Sequence, residues 1–307
     1  MSRRKGALIN GWLNVDKPIG LTSSAVVGRL KRAFGAAKVG HGGTLDPLAT
    51  GVLPIAFGEA TKVIGFVVDA AKRYRFTVRW GEARATDDAE GAVLATSPHR
   101  PAAAEIAAAL ARFTGILEQV PPRLSALKLG GRRAYELARA GNPVDLAPRP
   151  VEIHDLALLE QPDPDHAVFE VGCGKGTYVR SLARDLAVAL DTVGHVAQLR
   201  RLAVGPFRAE TAIGLDLLVE LGHSAAALER LLPILTPLAD IPAVAVTGAE
   251  AELIRNGQAV PAVGPGRPSP SHPLRDGDVV RVTAGELPVA MARFDSGQLR
   301  PVRVFNL

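Results

Sequence analysis

The chain has 307 residues, 47% apolar and 22% charged, which suits about two globular domains and excludes disorder, collagen and coiled coil as the main architecture. Its one cysteine, Cys173, excludes an internal disulfide framework and any multi-cysteine zinc or iron–sulfur site. The net charge of +5 implies a mild attraction to polyanions; no run of about 18 apolar residues predicts a membrane helix, and the basic start lacks a secretory core, so the chain reads as cytoplasmic.

Trp12–Val15 reads as a short strand closed by the turn at Lys17-Pro18. Thr22 or Ser23 caps a helix running to about Phe34, with Val26, Val27 and Leu30 on one face. This N-terminal stretch is strongly basic: up to Gly40, eight lysines and arginines face one acid, Asp16. A glycine-rich loop spans Gly40–Gly51, followed by a buried-type strand at Val52–Phe57 and a helix over Glu59–Val68. Tyr74–Trp80 alternates as a strand, with Tyr74, Phe76, Val78 and Trp80 on one face and Arg75, Thr77 and Arg79 on the other. Lys72, Arg73, Arg75 and Arg79 make a second basic group.

Pro101 opens an alanine-rich helix over Ala102–Phe113. Gly131–Ala140 reads as a short basic helix ended by Gly141, and it belongs to a third basic group: Arg123, Lys128, Arg132, Arg133 and Arg139. Three such groups in one chain favour a phosphate-binding footprint over generic solvated surface. Val151–Leu159 and Ala167–Val171 read as paired strands, and Thr177–Leu190 as a helix with Leu182, Leu186 and Leu190 aligned. A boundary is expected near Pro233–Pro242. Beyond it come a helix at Ala249–Arg255 and short strands at Asp278–Thr283, Pro288–Phe294 and Val302–Phe305. Strands and helices do not alternate regularly. The expected class is therefore α+β, with a mixed, largely antiparallel central sheet flanked by helices and a small β-rich C-terminal domain.

Two stretches carry possible chemistry. In Gly40–Gly51, glycines let the backbone approach a ligand, and Pro47 biases Asp46 towards an extended conformation that presents its carboxylate to a cleft. On spacing alone an ordinary turn with a capping aspartate fits as well. In Gly172–Leu182, a glycine-rich turn enters a helix. Lys175 is followed by Gly176, so the stretch fails the Walker A pattern and no nucleotide triphosphate site is expected. Tyr178 and Arg180 sit in the first turn of that helix, where a tyrosine can stack on a base and an arginine can pair with a carboxylate or phosphate.

Seven segments in order identify a resemblance: VDKPIGLTS (Val15–Ser23), GHGGTLDPLATGVLP (Gly40–Pro54), KRYRFTVRWG (Lys72–Gly81), TDDAEG (Thr86–Gly91), PP…SALK…GRRAYELAR (Pro121–Arg139), GKGTYVRSLARDL (Gly174–Leu186) and GHVAQLRRLAVGPF (Gly194–Phe207). Together they resemble the TruB family of tRNA pseudouridine synthases from about Gly11 to Phe207. One departure is Leu124, where the family commonly has an aromatic residue. The resemblance implies roles for single residues. Asp46 matches the nucleophile, Tyr74 the tyrosine that stacks on the target base, and Arg180 the arginine that pairs with the nucleophile. Tyr178 and Leu199 match residues of the uridine pocket, His41 a histidine near the extruded base, and Lys17 the lysine supporting the active-site loop. Asp88 matches an acid of the T-D-D segment.

The implied reaction breaks the N1–C1′ bond of a uridine, rotates the uracil and rejoins it through C5. No redox step or energy input is involved, so no cofactor and no metal are expected. The nucleophile must be ionised, and a paired arginine favours that form and aims it. The implied target is the uridine at position 55 in the T loop of tRNA, reached by extruding the base and read mainly by loop shape. Arg132, Arg133 and Arg139 and the N-terminal basic helix are the candidate phosphate contacts. The implied domains are a pseudouridine synthase domain at 1–238, with a basic insertion at about 121–148, and a PUA-like RNA-binding domain at 239–307. The T-arm of tRNA is the expected partner of a monomer, with no membrane and no protein partner implied. Two other classes stand beside this: a non-catalytic RNA-binding module, and a sugar hydrolase pairing Asp46 with Asp87 or Asp88.

Overall fold

Alternating apolar residues and the glycine-rich turns between them set the order of elements in the computed structural model. It describes residues 6–122, 146–264 and 273–307, with the backbone alone of 128–129 and 132–133. The chain runs β1 (Gly11–Lys17), α1 (Ser23–Ala33), β2 (Val39–His41), β3 (Thr50–Phe57), α2 (Ile64–Asp69), β4 (Lys72–Trp80), β5 (Glu82–Arg84), β6 (Val93–Thr96), α3 (Ala103–Leu110) and β7 (Gly115–Gln119). After the short strands β8 (Lys128–Leu129) and β9 (Arg132–Arg133) come β10 (Arg149–Asp163), β11 (His166–Cys173), α4 (Val179–Ala189), β12 (Gly194–Val204), β13 (Phe207–Arg208), β14 (Ile213–Gly214), α5 (Leu215–Leu221) and α6 (Ala225–Leu228). The C-terminal part holds β15 (Ala243–Ala245), α7 (Gly248–Arg255), β16 (Val260–Pro261), β17 (Val279–Ala284), β18 (Leu287–Asp295) and β19 (Gln298–Val304).

Ten strands form the main sheet, in the order β14-β1-β3-β12-β4-β11-β10-β7 with β13 on β12 and β2 on β3. The β1–β14 and β3–β12 pairings are parallel and the others antiparallel, so the expected mixed, largely antiparallel α+β sheet is what the chain forms. The period-2 pattern sorts side chains between the two faces. Leu13, Val15, Leu53, Ile55 and Phe57 join one core with Val26 and Leu30 of α1 and Leu182 and Leu186 of α4. Trp12, Val52 and Ala56 point to the other face and pack with Phe207, Met291 and Phe305. α1 begins where the sequence places it: the Thr22 side chain caps it by accepting from Ala25 N at 3.0 Å.

The second sheet has five strands, β15-β17-β18-β19-β16, with its own apolar core around Val280, Val282 and Ile254. Lys62 donates to Val304 O at 2.7 Å, and Asn306 N donates to Glu59 at 2.7 Å, which ties this sheet to the first. No helix among the described residues is long and apolar enough to cross a membrane.

Three expectations change. The predicted basic helix at 131–140 does not begin as one: Arg132–Arg133 is a strand paired with Lys128–Leu129, and Arg139, like Leu124, lies outside the described residues. β12, read only as a motif, is a strand at the centre of the main sheet. The second basic group is largely neutralised within the chain. Arg73 pairs with Asp155 at 2.8 Å and Glu170 at 3.1 Å, Arg75 with Glu170 at 3.0 Å, and Arg79 with Glu82 at 2.9 Å. Cross-strand neighbours on β10 and β11 supply most of those carboxylates, so this face of β4 is an ion-pair ladder and not a free phosphate footprint.

Candidate active site

Asp46 lies in the connection between β2 and β3, and each carbonyl around it has a donor. Arg201 donates Nη2 to Gly43 O at 3.2 Å and Nη1 to Thr44 O at 3.1 Å. The Ser23 hydroxyl donates to Leu45 O at 3.0 Å and accepts from Leu45 N at 2.8 Å. Ala49 N donates to Asp46 O at 3.1 Å. Pro47 O accepts from Gly20 N at 2.8 Å and from Lys17 Nζ at 3.3 Å. Lys17 also donates to Pro18 O at 3.0 Å and Leu21 O at 2.7 Å, which joins the start of α1 to the loop. A loop without regular structure is held in one conformation when its backbone groups are paired in this way.

Arg180 enters from the first turn of α4. A cation there opposes the helix dipole, so carboxylates must offset it. Its Nε lies 2.9 Å from Asp46 Oδ2, and its Nη1 lies 3.3 Å from Asp88 Oδ2 and donates to Thr86 O at 2.9 Å. The Arg180 side chain is 6% exposed while that of Asp46 is 31% exposed, so the guanidinium is sealed behind a carboxylate that still faces solvent. Asp87 pairs with Arg184 at 3.0 Å, and burial pushes its carboxyl above the ordinary range against the pull of Arg184 and Arg180.

Asp46, Tyr74, Tyr178, Arg180 and Leu199 line one cleft of about 520 Å³, with Lys72 and Arg201 in its polar wall. Residues separated by up to 153 positions thus meet: Asp46 from the loop, Tyr74 from β4, Tyr178 and Arg180 from the start of α4, Leu199 from β12. Burial pushes the Tyr74 phenol up. Burial lowers Lys17 to about 8, opposed by the Asp46 charge and reinforced by Arg201. Lys72 is lowered to about 8, again first by burial, and donates to Ala70 O at 2.6 Å.

Five of the expected residues therefore share the cleft. Lys17 sits beneath it, fully buried, as a support of the loop. His41 is at the end of β2, opposite Ile55 of β3, and outside the cleft lining. Asp87 and Asp88 also lie outside the lining, Asp88 on the far side of the Arg180 guanidinium that it shares with Asp46, and Asp87 against Arg184. Three residues that sequence reading missed complete the site. Ser23 and Arg201 hold the loop. Gln119 of β7 braces Tyr178 by accepting from its N at 2.8 Å and donating to its O at 3.1 Å. Only the exchange of a polar residue into an apolar-patterned position could have flagged them, and a single sequence offers that signal weakly.

The chain and its fold have known counterparts. Residues 31–179 match the family described as TruB family pseudouridylate synthase (N terminal domain), and residues 180–240 match the tRNA pseudouridylate synthase B C-terminal domain. The tRNA pseudouridine synthase B of Rhodospirillum rubrum is 56% identical over 305 residues, covering 99% of each chain. That of Bradyrhizobium diazoefficiens is 54% identical over 310 residues, covering 99% of this chain and 88% of its own. Among solved structures, a chain of a Cbf5-Nop10-Gar1 complex superposes with a TM-score of 0.74 at 26% identity, over 97% of this chain and 85% of that one. A chain of an H/ACA RNP bound to a substrate RNA containing 2′-deoxyuridine shares the fold with a TM-score of 0.75 at 24% identity, over 100% and 92%. With a full-length relative more than half identical and the fold in common, this chain belongs to the TruB family of pseudouridine synthases.

Proposed function

We propose that this pseudouridine synthase isomerises the uridine at position 55 in the T loop of tRNA, with Asp46 as its nucleophile. The observation that carries the reading is the Asp46–Arg180 pair at 2.9 Å, set in a cleft with Tyr74, Tyr178 and Leu199. A buried arginine 2.9 Å from a solvent-facing carboxylate holds it in one orientation, which covalent attack requires. The target base leaves the T-loop stack and enters the cleft, where Tyr74 stacks on it and Tyr178 and Leu199 bound it. Asp46 attacks, the N1–C1′ bond breaks, and the freed uracil turns so that C5 faces C1′. A C5–C1′ bond forms, the bond to Asp46 breaks and returns the free carboxylate, the C5 proton leaves, and N1 gains a proton. The net change moves one bond and one proton, so the chemistry calls for no cofactor.

Extrusion of the base costs a few kcal/mol, offset by stacking and by phosphate contacts. Arg29, Lys31 and Arg32 on α1 are exposed and suit such contacts with the T-arm, as do Arg132, Arg133 and Arg139 of the basic insertion. His41 is taken to lie near the emerging loop. We assign residues 1–238 to catalysis, with the insertion at about 121–148, and 239–307 to a PUA-like domain for the rest of the tRNA. The enzyme is expected to act as a cytoplasmic monomer. Incubation with an unmodified tRNA transcript, then mapping of pseudouridine at nucleotide resolution, tests this. Modification confined to the T-loop uridine is the expected result; modification elsewhere, or none, would refute the target.

A further inference from the structure

Arg201 is a buried cation at the floor of the cleft, 1% exposed. Its hydrogen bonds go to carbonyls rather than carboxylates: besides Gly43 O and Thr44 O, its Nε donates to Val52 O at 2.7 Å. Taking a guanidinium out of water is costly, and a core that needed only volume here would hold leucine or methionine. Its place in the sheet is specific. Register sets it opposite Tyr74 on β4 and opposite Gly51 on β3. Gly51 has φ +101, and a Cβ there would stand 2.2 Å from Arg201 O, so β3 and β12 approach closely only with glycine at that position. The positive charge facing Tyr74 across the sheet also opposes the rise that burial causes in that phenol.

We propose that Arg201 is a positioning residue for the reaction: one buried guanidinium fixes the backbone two and three residues before Asp46 from a register position opposite Tyr74 in the same cleft, so that nucleophile and aromatic platform share one reference point. Lys17 anchors the other side of Asp46 through Pro47 O, but it has no fork with which to hold two successive carbonyls. This inference rests on the roles proposed above for Asp46 and Tyr74.

The test compares Arg201→Met and Arg201→Lys with the wild type in single-turnover conversion of a T-arm transcript, alongside the Kd for tRNA. Arg201→Met should slow conversion about 100-fold with Kd within about threefold, because a small misplacement of reacting groups acts on the rate. Arg201→Lys, which keeps the charge and loses the fork, should recover about tenfold of that loss. In a Tyr74→Phe background the same Met substitution should cost less, since the hydroxyl that shares the cleft wall with the guanidinium is already gone. A packing role alone predicts full rate from whatever fraction folds and no coupling to Tyr74, and that result would overturn the proposal. So would a fall in affinity equal to the fall in rate. If the Met variant does not fold, the Lys variant decides: a wild-type rate would overturn the proposal. Failure of the underlying reading looks different, because the wild type would then leave the T-loop uridine unmodified or Asp46→Asn would stay active.

Discussion

On and around the ten-stranded sheet Lys17, Asp88, Arg180 and Arg201 are each no more than 5% exposed, whereas every buried described residue of the five-stranded sheet is apolar. Both sheets close a core by the same alternation of strand side chains. The first also takes whole charged side chains out of water, which lowers stability unless each charge is paired or fully hydrogen-bonded. The four buried charges converge on one loop and one helix start. The second sheet holds what folding and docking demand, and its Met291 and Phe305 share a core with Trp12 of the first. Buried charge with a common focus therefore separates the working region from the supporting one, more sharply than net charge or surface arginines do.

The contrast can be broken by substitution. Arg180→Ala has the largest expected effect: it leaves Asp46 and Asp88 without their shared cation, and conversion should slow about 10³-fold with tRNA affinity nearly kept. Equal loss of rate and affinity would make Arg180 a plain RNA contact. Ile254→Ala in α7, which packs on the second sheet, removes a fully buried side chain and should cost about 2–5 kcal/mol in urea unfolding. Its rate on an isolated T-arm stem-loop should stay within about twofold of wild type. A rate loss like that of Arg180→Ala would erase the distinction between the sheets.

The smallest effect is a pH dependence. Lys17 is lowered from 10.5 to about 8, chiefly by burial. Between those values the unfolded chain holds a proton that the native chain has released, so native stability rises with pH across the window. Lys17→Met lacks that contribution. The unfolding free energy of the wild type relative to Lys17→Met should therefore grow from pH 8 to 10.5, by no more than about 3 kcal/mol. A flat difference would place the ammonium in water.

Much of this organisation was legible in the sequence. The Thr22 cap, the alternation in β4 and the leucine spacing of α4 each follow from one local rule, and each element stands where it was expected. β12 was harder to see because its alternating buried positions read Leu199, Arg201, Ala203. An arginine in a buried register looks like solvent-facing sequence until the carbonyls that receive it are known. The β4 arginines failed in the opposite sense: they looked free because Asp155 and Glu170 lie far along the chain and meet them only across the sheet. Asp46 and Arg180 were found through motif resemblance; their meeting at 2.9 Å depends on a loop and a helix that no spacing rule connects.

The central claim is that Asp46 performs the chemistry and does not merely shape the cleft. Asp46→Asn keeps the volume of the side chain and removes its nucleophilic charge. Incubated with an unmodified tRNA transcript, it should bind with near wild-type affinity and form no pseudouridine at the T-loop uridine that the wild type converts. Pseudouridine at that position from Asp46→Asn would contradict the account.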